Sequence, residues 1–71
     1  MENNNKIFLK DLGMKIRVQR VMCNMSTSRL SQLSGIDMSN INSIELGKVN
    51  THILTLKAIA EVFNMDIKEF L

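Results

Sequence analysis

The most constraining feature of this sequence is the stretch LSQLSGIDMSNINSIELGK, residues 30–48, in which one glycine separates two short segments of helical apolar spacing. The apolar residues that give each segment this spacing are Leu30, Leu33, Ile41 and Ile44. Because glycine readily adopts a positive φ, Gly35 can end one helix immediately before the next begins. The stretch therefore predicts two short helices that meet at a tight turn, GID.

The rest of the chain also has helical spacing. Helix one is predicted from Phe8 to about Cys23, after a flexible lead-in over residues 1–7. A fourth helix begins after Thr51, and a fifth consists of a last turn through Phe70 and Leu71. The side chains expected to cap helices two to five are Ser26, Asp37, Thr51 and Asp66, the last with Glu69 in a capping box. The predicted fold class is all-α, a compact five-helix bundle without strands.

Length and charge narrow the choice of ligand. A chain of 71 residues holds one domain with a modest core, which leaves no room for a catalytic cleft between two lobes. Residues 1–35 contain six Lys or Arg and two Asp or Glu, net +4, whereas residues 36–71 contain three and five, net −2. A basic half beside a mildly acidic half favours a polyanion such as nucleic acid.

The residue types in the sequence give little support for a metal site, a redox site or an enzyme active site. Cys23 is the only cysteine and is expected to be a small buried hydrophobe, and His52 is expected to be a surface loop residue. We expect no metal, no cofactor and no enzymatic activity, because no nucleophile, base and oxyanion donors can be assembled. No segment approaches the roughly 20 apolar residues of a membrane span. We therefore expect a cytoplasmic protein that does not associate with membranes.

Several motifs together resemble the helix-turn-helix family of phage repressors, Cro and xenobiotic-response-element (Xre) regulators. They are LGMKIRVQR in helix one, STSRLSQLSGI through helix two and the turn, SNINSIELGK through helix three, and LKAIAEVFNMDIKEFL at the end. The resemblance covers about residues 12–71, and it implies a DNA-binding domain over residues 8–71 with a recognition helix at about 38–46. Ser31, Thr27 and Thr51 depart from residues usual in the family, and the Thr27 change weakens the inference of a phosphate contact.

The resemblance also implies residue roles. Met38, Ser39 and Ser43 match positions from which relatives reach base edges, and Asn42 lies on the same predicted outward face. The residues that flank this helix with donors for phosphate are Thr27, Arg29, Asn40 and Lys48. The alternative is that these polar side chains only solvate a surface helix. Lys15 and Arg17 are expected to form a solvated face of helix one, and the alternative is that they contact phosphate.

Arg20 and Glu45 match family positions that resemble a buried ion pair, which would join helices one and three beside the turn. The alternative is that both are solvated helix charges. If the pair is buried, deletion of either partner would cost about 3–5 kcal/mol of stability.

Four residues are apolar where relatives often carry polar ones, and some of them are expected to form an exposed patch for a partner: Leu46, Leu54, Val62 and Ile67. The expected dimer interface lies on helices four and five. A symmetric homodimer through Leu54, Val62 and Ile67 would hold two recognition helices about 34 Å apart on a near-palindromic operator. The alternative is that Val62 and Ile67 complete the core.

The predicted function is that of a repressor or autoregulator of transcription, which binds double-stranded DNA and has no small-molecule effector domain. Its rival is a protein-interaction module, such as an antitoxin-like partner, with secondary DNA binding.

Overall fold

The computed structural model describes the backbone of residues 2–71 and the side chains of residues 4–71. Its elements in chain order are α1 (Glu2–Met22), α2 (Thr27–Ser34), α3 (Met38–Glu45), α4 (Ile53–Val62) and a 3-10 helix (Ile67–Phe70). The all-α prediction is confirmed, and residues 2–71 contain no strand. The predicted count of five α-helices is wrong, because the last turn is too short for an α-helical ladder and its amides bond three residues back, Glu69 to Asp66 and Leu71 to Lys68.

Helix α1 begins six residues earlier than predicted. The helical spacing of the sequence predicts a start at Phe8 after a lead-in over residues 1–7, but the helix already includes Glu2. Met1, the first residue of that predicted lead-in, lies outside the described residues. No proline or glycine occurs in ENNNKI, so nothing prevents the helix from extending back from Phe8.

The core has a contribution from every element. Ile16, Leu30, Ile41 and Ile59, one from each α-helix, are the largest fully buried side chains. Around them lie six further buried residues, Leu12, Ile44, Leu56, Ala60, Phe63 and Phe70. The rings of Phe63 and Phe70 meet edge to face with centroids 6.4 Å apart, which fixes the 3-10 helix to the end of α4. Each large apolar side chain buried in this way contributes about 1.5–3 kcal/mol.

The junction between α2 and α3 has the predicted form. The Ser26 hydroxyl caps α2 by accepting the Arg29 backbone N–H, and Gly35 ends it with φ +76°. The Ser31 hydroxyl then donates to the Ile36 carbonyl at 2.5 Å, and the Ser34 hydroxyl accepts the Ile36 N–H. These contacts fix how α3 leaves the turn.

Two predicted caps are wrong in detail. Asp37 occupies the residue before α3, but its side chain makes no capping hydrogen bond. Helix α4 follows His52 rather than Thr51, and its amino terminus also lacks a side-chain cap. The predicted capping box of Asp66 and Glu69 is confirmed, since both reciprocal hydrogen bonds are present.

Candidate nucleic-acid interface

One side of α3 faces outward and carries only uncharged residues. Ile41 and Ile44 are buried against the core, whereas Met38, Ser39, Asn40 and Asn42 are exposed. Ser43, also predicted to reach a base, is only half-buried and lies nearer the edge of this face. The face therefore offers hydroxyl and amide groups, and one thioether side chain, to a ligand in front of it.

A close crossing with α1 holds the carboxyl end of α3 in place. Gly13 is buried in α1, and a Cβ added there would overlap the Ile44 carbonyl oxygen and lie 2.6 Å from that of Glu45. Only a residue without a side chain permits this approach. Gly13 is not among the residues predicted to have a role, although a glycine inside a helical pattern is itself a signal of close packing.

A second tie between the same helices is the contact of Arg20 with Glu45. Arg20 Nε and Nη2 donate to Glu45 Oε2 and Oε1 at 2.7 and 3.0 Å, and Nη1 donates to the Met25 carbonyl at 2.8 Å. The Arg20 side chain is 13% exposed and that of Glu45 is 6% exposed. The hydrogen bond to Glu45, reinforced by its negative charge and only partly opposed by burial, raises the pKa of the Arg20 guanidinium.

The four residues predicted to hold phosphates fall before, within and after α3: Thr27 and Arg29 precede the helix, Asn40 lies in it and Lys48 follows it. Thr27 is half-buried as the first residue of α2, whereas Arg29, Asn40 and Lys48 are exposed. The Arg29 guanidinium reaches the Gln32 side-chain oxygen at 3.3 Å, an exposed contact that leaves most of its donors free. The Lys48 backbone N–H donates to the Ser43 carbonyl at 2.9 Å, so this loop follows the end of α3 directly.

A concavity of about 400 Å³ opens between α1, the start of α2 and α3. Arg17, Thr27, Asn42 and Leu46 line it, together with the pair Arg20 and Glu45. It brings one predicted base-contacting residue and one predicted phosphate-contacting residue into a common depression. Arg17, expected only as part of a solvated face, belongs to the same depression.

This sequence matches the family model described as helix-turn-helix over residues 16–70. The chain belongs to the Cro and Xre type of helix-turn-helix proteins. Its structure is similar to the high-resolution crystal structure of the restriction-modification controller protein C.AhdI from Aeromonas hydrophila, with a TM-score of 0.86 and 25% sequence identity. The match covers 89% of this chain and 96% of that chain. No curated protein matches the sequence.

Membership in this family makes the protein a DNA-binding transcription regulator and not an enzyme. The helix-turn-helix unit of the family corresponds to α2, the Gly35 turn and α3. No helix in residues 2–71 is long and apolar enough to cross a membrane. Among the side chains of residues 4–71, no three of His, Cys, Asp or Glu gather as a metal ion would require.

The predicted partner surface of this helix-turn-helix protein is more buried than expected. Leu54 is 72% exposed and Leu46 is also exposed. Val62 and Ile67 are half-buried and pack against the core, because α4 and the 3-10 helix turn these side chains toward it. Cys23 is exposed, contrary to the prediction of a buried thiol, because it follows the last residue of α1, where the chain leaves the core.

Proposed function

We propose that this helix-turn-helix protein represses or autoregulates transcription by binding a near-palindromic operator as a homodimer. Residues of about 38–46 enter the major groove. The observation that carries the proposal is the exposed, uncharged polar face of α3, held at its carboxyl end by Gly13 and the Arg20–Glu45 pair. A groove-facing helix needs such rigidity, because base recognition depends on fixed donor and acceptor positions.

The chemistry of this face suits base edges. The Asn42 amide can donate to and accept from one adenine, and the hydroxyls of Ser39 and Ser43 can bond several bases. Met38, 46% exposed at the start of α3, supplies apolar surface for a thymine methyl group. Since the face carries no charge, sequence preference here rests on hydrogen bonds and methyl contacts rather than on general attraction to DNA.

Phosphate contacts position this helix on the duplex. Arg29 and Lys48 contribute positive charge, and Thr27 and Asn40 contribute neutral donors. The four residues act on any DNA sequence and supply the salt-dependent part of the affinity. The similarity to a restriction-modification controller protein supports the proposed role in the control of transcription.

The experiment that tests the proposal selects bound sequences from a random DNA pool and then titrates binding at two salt concentrations. We expect an enriched near-palindrome that binds far more tightly than unrelated DNA. Weak, salt-sensitive binding without enrichment would contradict operator recognition. That result would favour the rival function, a protein-interaction module with secondary DNA binding.

Substitution of two asparagines of α3 distinguishes a base contact from a phosphate contact. We expect Asn42→Ala to weaken operator binding about 5- to 150-fold for each half-site and binding to unrelated DNA much less, because one bidentate base contact is worth about 1–3 kcal/mol. Ser43→Ala follows the same direction with a smaller loss, since one hydroxyl makes fewer bonds. The matched variant Asn40→Ala removes the same amide from a predicted phosphate contact, so it weakens both complexes equally. Equal losses for Asn42→Ala would demote Asn42 to a phosphate contact.

A further inference from the structure

We propose that Arg17 binds a phosphate of the DNA backbone over the concavity between α1, the start of α2 and α3. The inference rests on the proposed function, because it concerns the same DNA complex. It adds a contact from α1, outside the helix-turn-helix unit, and it replaces the expectation that Arg17 is a solvated residue.

The position of Arg17 places it beside the proposed DNA contacts. Thr27 and Asn42 line the concavity with Arg17, and they are proposed to touch a phosphate and a base edge of the bound duplex. DNA that reaches both residues must pass in front of the depression they share. Arg17, exposed on α1 at the same depression, is then within the region covered by the backbone of the duplex.

The charge of the concavity also favours a phosphate at Arg17. The concavity is lined by two arginines and one glutamate, but Arg20 and Glu45 neutralise each other through two hydrogen bonds. Both carboxylate oxygens of Glu45 are engaged, and its side chain is 6% exposed, so its negative charge does not face the opening. Arg17 has no hydrogen-bond or ion-pair partner among the side chains of residues 4–71. The uncompensated positive charge of the concavity therefore belongs to Arg17.

Lys15 supplies the contrast within the same helix. It is exposed, carries the same charge and precedes Arg17 by two residues, which rotates it about 200° around the helix axis. Its side chain borders a different depression, beside Val18, Met65 and Glu69. An argument from net charge alone would treat the two cations equally, whereas the geometry assigns phosphate binding to Arg17 only.

The test compares Arg17→Ala with Lys15→Ala in the full chain. Affinity for the selected operator and for an unrelated duplex is titrated over a range of salt concentrations. We expect Arg17→Ala to weaken both complexes by a similar factor, because a phosphate contact carries no sequence information. The slope of log affinity against log salt should fall by about 0.9 per subunit, or about 1.8 for a dimer. Lys15→Ala should leave the slope near that of the original protein.

Two further measurements separate a lost phosphate contact from a disturbed fold. Arg17→Lys keeps the charge and should restore most of the slope, and the thermal midpoint of Arg17→Ala should be unchanged because the side chain is exposed and unpaired. Equal slopes for Arg17→Ala and Lys15→Ala would overturn the inference. If no operator is enriched, the proposed function fails, but the slope on unrelated DNA still measures the Arg17 contact. If an operator is enriched and Arg17→Ala binds it normally, only the Arg17 inference fails.

Discussion

At the residue scale, Glu45 is the single charged residue of α3, and it points inward toward Arg20. Glu45→Gln would leave the Arg20 guanidinium buried without its counter-charge, so we expect a loss of about 3–5 kcal/mol in the free energy of unfolding. Urea denaturation measures this loss. Glu61→Gln, the same change at an exposed site on α4, should alter stability by less than about 0.5 kcal/mol. A comparably small change for Glu45→Gln would show that the pair contributes little to stability.

The raised pKa of Arg20 determines how this ion pair's contribution to folding stability depends on pH. A group whose pKa is higher in the folded protein stabilises it at every pH below its unfolded value and loses that contribution only as the pH rises through the folded value. For an arginine this loss lies at strongly alkaline pH. The Arg20 side of the pair therefore gives a constant contribution to stability across the neutral range.

Ser31 illustrates what a departure from a family pattern can mean. The sequence shows only that a serine stands where a small alanine is usual, which gives no structural reason for the change. In the folded chain the Ser31 hydroxyl bonds the Ile36 carbonyl, five residues along and beyond the turn. The hydroxyl satisfies a backbone acceptor in the turn, and such a bond contributes about 0.5–1.5 kcal/mol.

At the element scale, the orientation of α3 depends on two glycines in different ways. Gly13→Ala forces a Cβ into backbone carbonyls of α3, so α3 must shift outward. We expect a loss of at least about 1–3 kcal/mol, the usual cost of overpacking, and weaker operator binding because the recognition face moves. Thermal unfolding and operator titration measure the two effects.

Substitutions at Gly35 are the control for Gly13→Ala. A Cβ at Gly35 would meet nothing within 4 Å, but the φ of +76° is unfavourable for other residues. Gly35→Asn should be better tolerated than Gly35→Ala, because asparagine adopts this conformation more readily. No such rescue is expected at Gly13, where the obstacle is space rather than φ. A Gly13→Ala protein that melts and binds like the original would contradict the close crossing as the support of α3.

Local signals predicted the elements that depend on local chemistry. The Ser26 cap, the Gly35 exit and the capping box of Asp66 and Glu69 involve residues within a few positions of one another, and all three are confirmed. The predicted start of α1 was wrong because ENNNKI carries no strong start or stop signal, and the α-helical form of the last turn was wrong because its capping box marks where the turn begins but not its hydrogen-bond pattern. In the candidate site, the outward face of α3 followed from the spacing of Ile41 and Ile44. The position of Arg17 did not, because it depends on which side of α1 meets α2 and α3.

At the scale of the whole molecule, the proposed dimer would use apolar surface that the core leaves exposed. Leu54, Ala58 and Val62 follow one another along α4 at four-residue spacing, and the latter two border a shallow depression with Leu33 of α2. A stable interface buries about 800 Å² per partner, roughly one-sixth of the 4918 Å² of this chain. An interface of that size needs more than Leu54, and the exposed edges of these neighbours can supply part of it.

Leu54 is the residue through which to test the proposed homodimer, because Ile67 packs against the core and its replacement would also disturb folding. We expect Leu54→Lys to convert a dimer at micromolar concentration into a monomer, measured by sedimentation equilibrium. Met22→Lys is the matched control, since Met22 is 75% exposed and lies at the end of α1. It should leave the dimer intact.

The same pair of variants links assembly to DNA recognition. A two-fold dimer holds two α3 helices about 34 Å apart and binds both halves of a near-palindrome at once. Leu54→Lys should therefore lose most of its affinity for the full operator and little for a single half-site, because the second half no longer binds as part of one molecule. A dimer that survives Leu54→Lys but not Met22→Lys would move the interface to α1. A monomeric original protein that binds only half-sites would reject the homodimer itself.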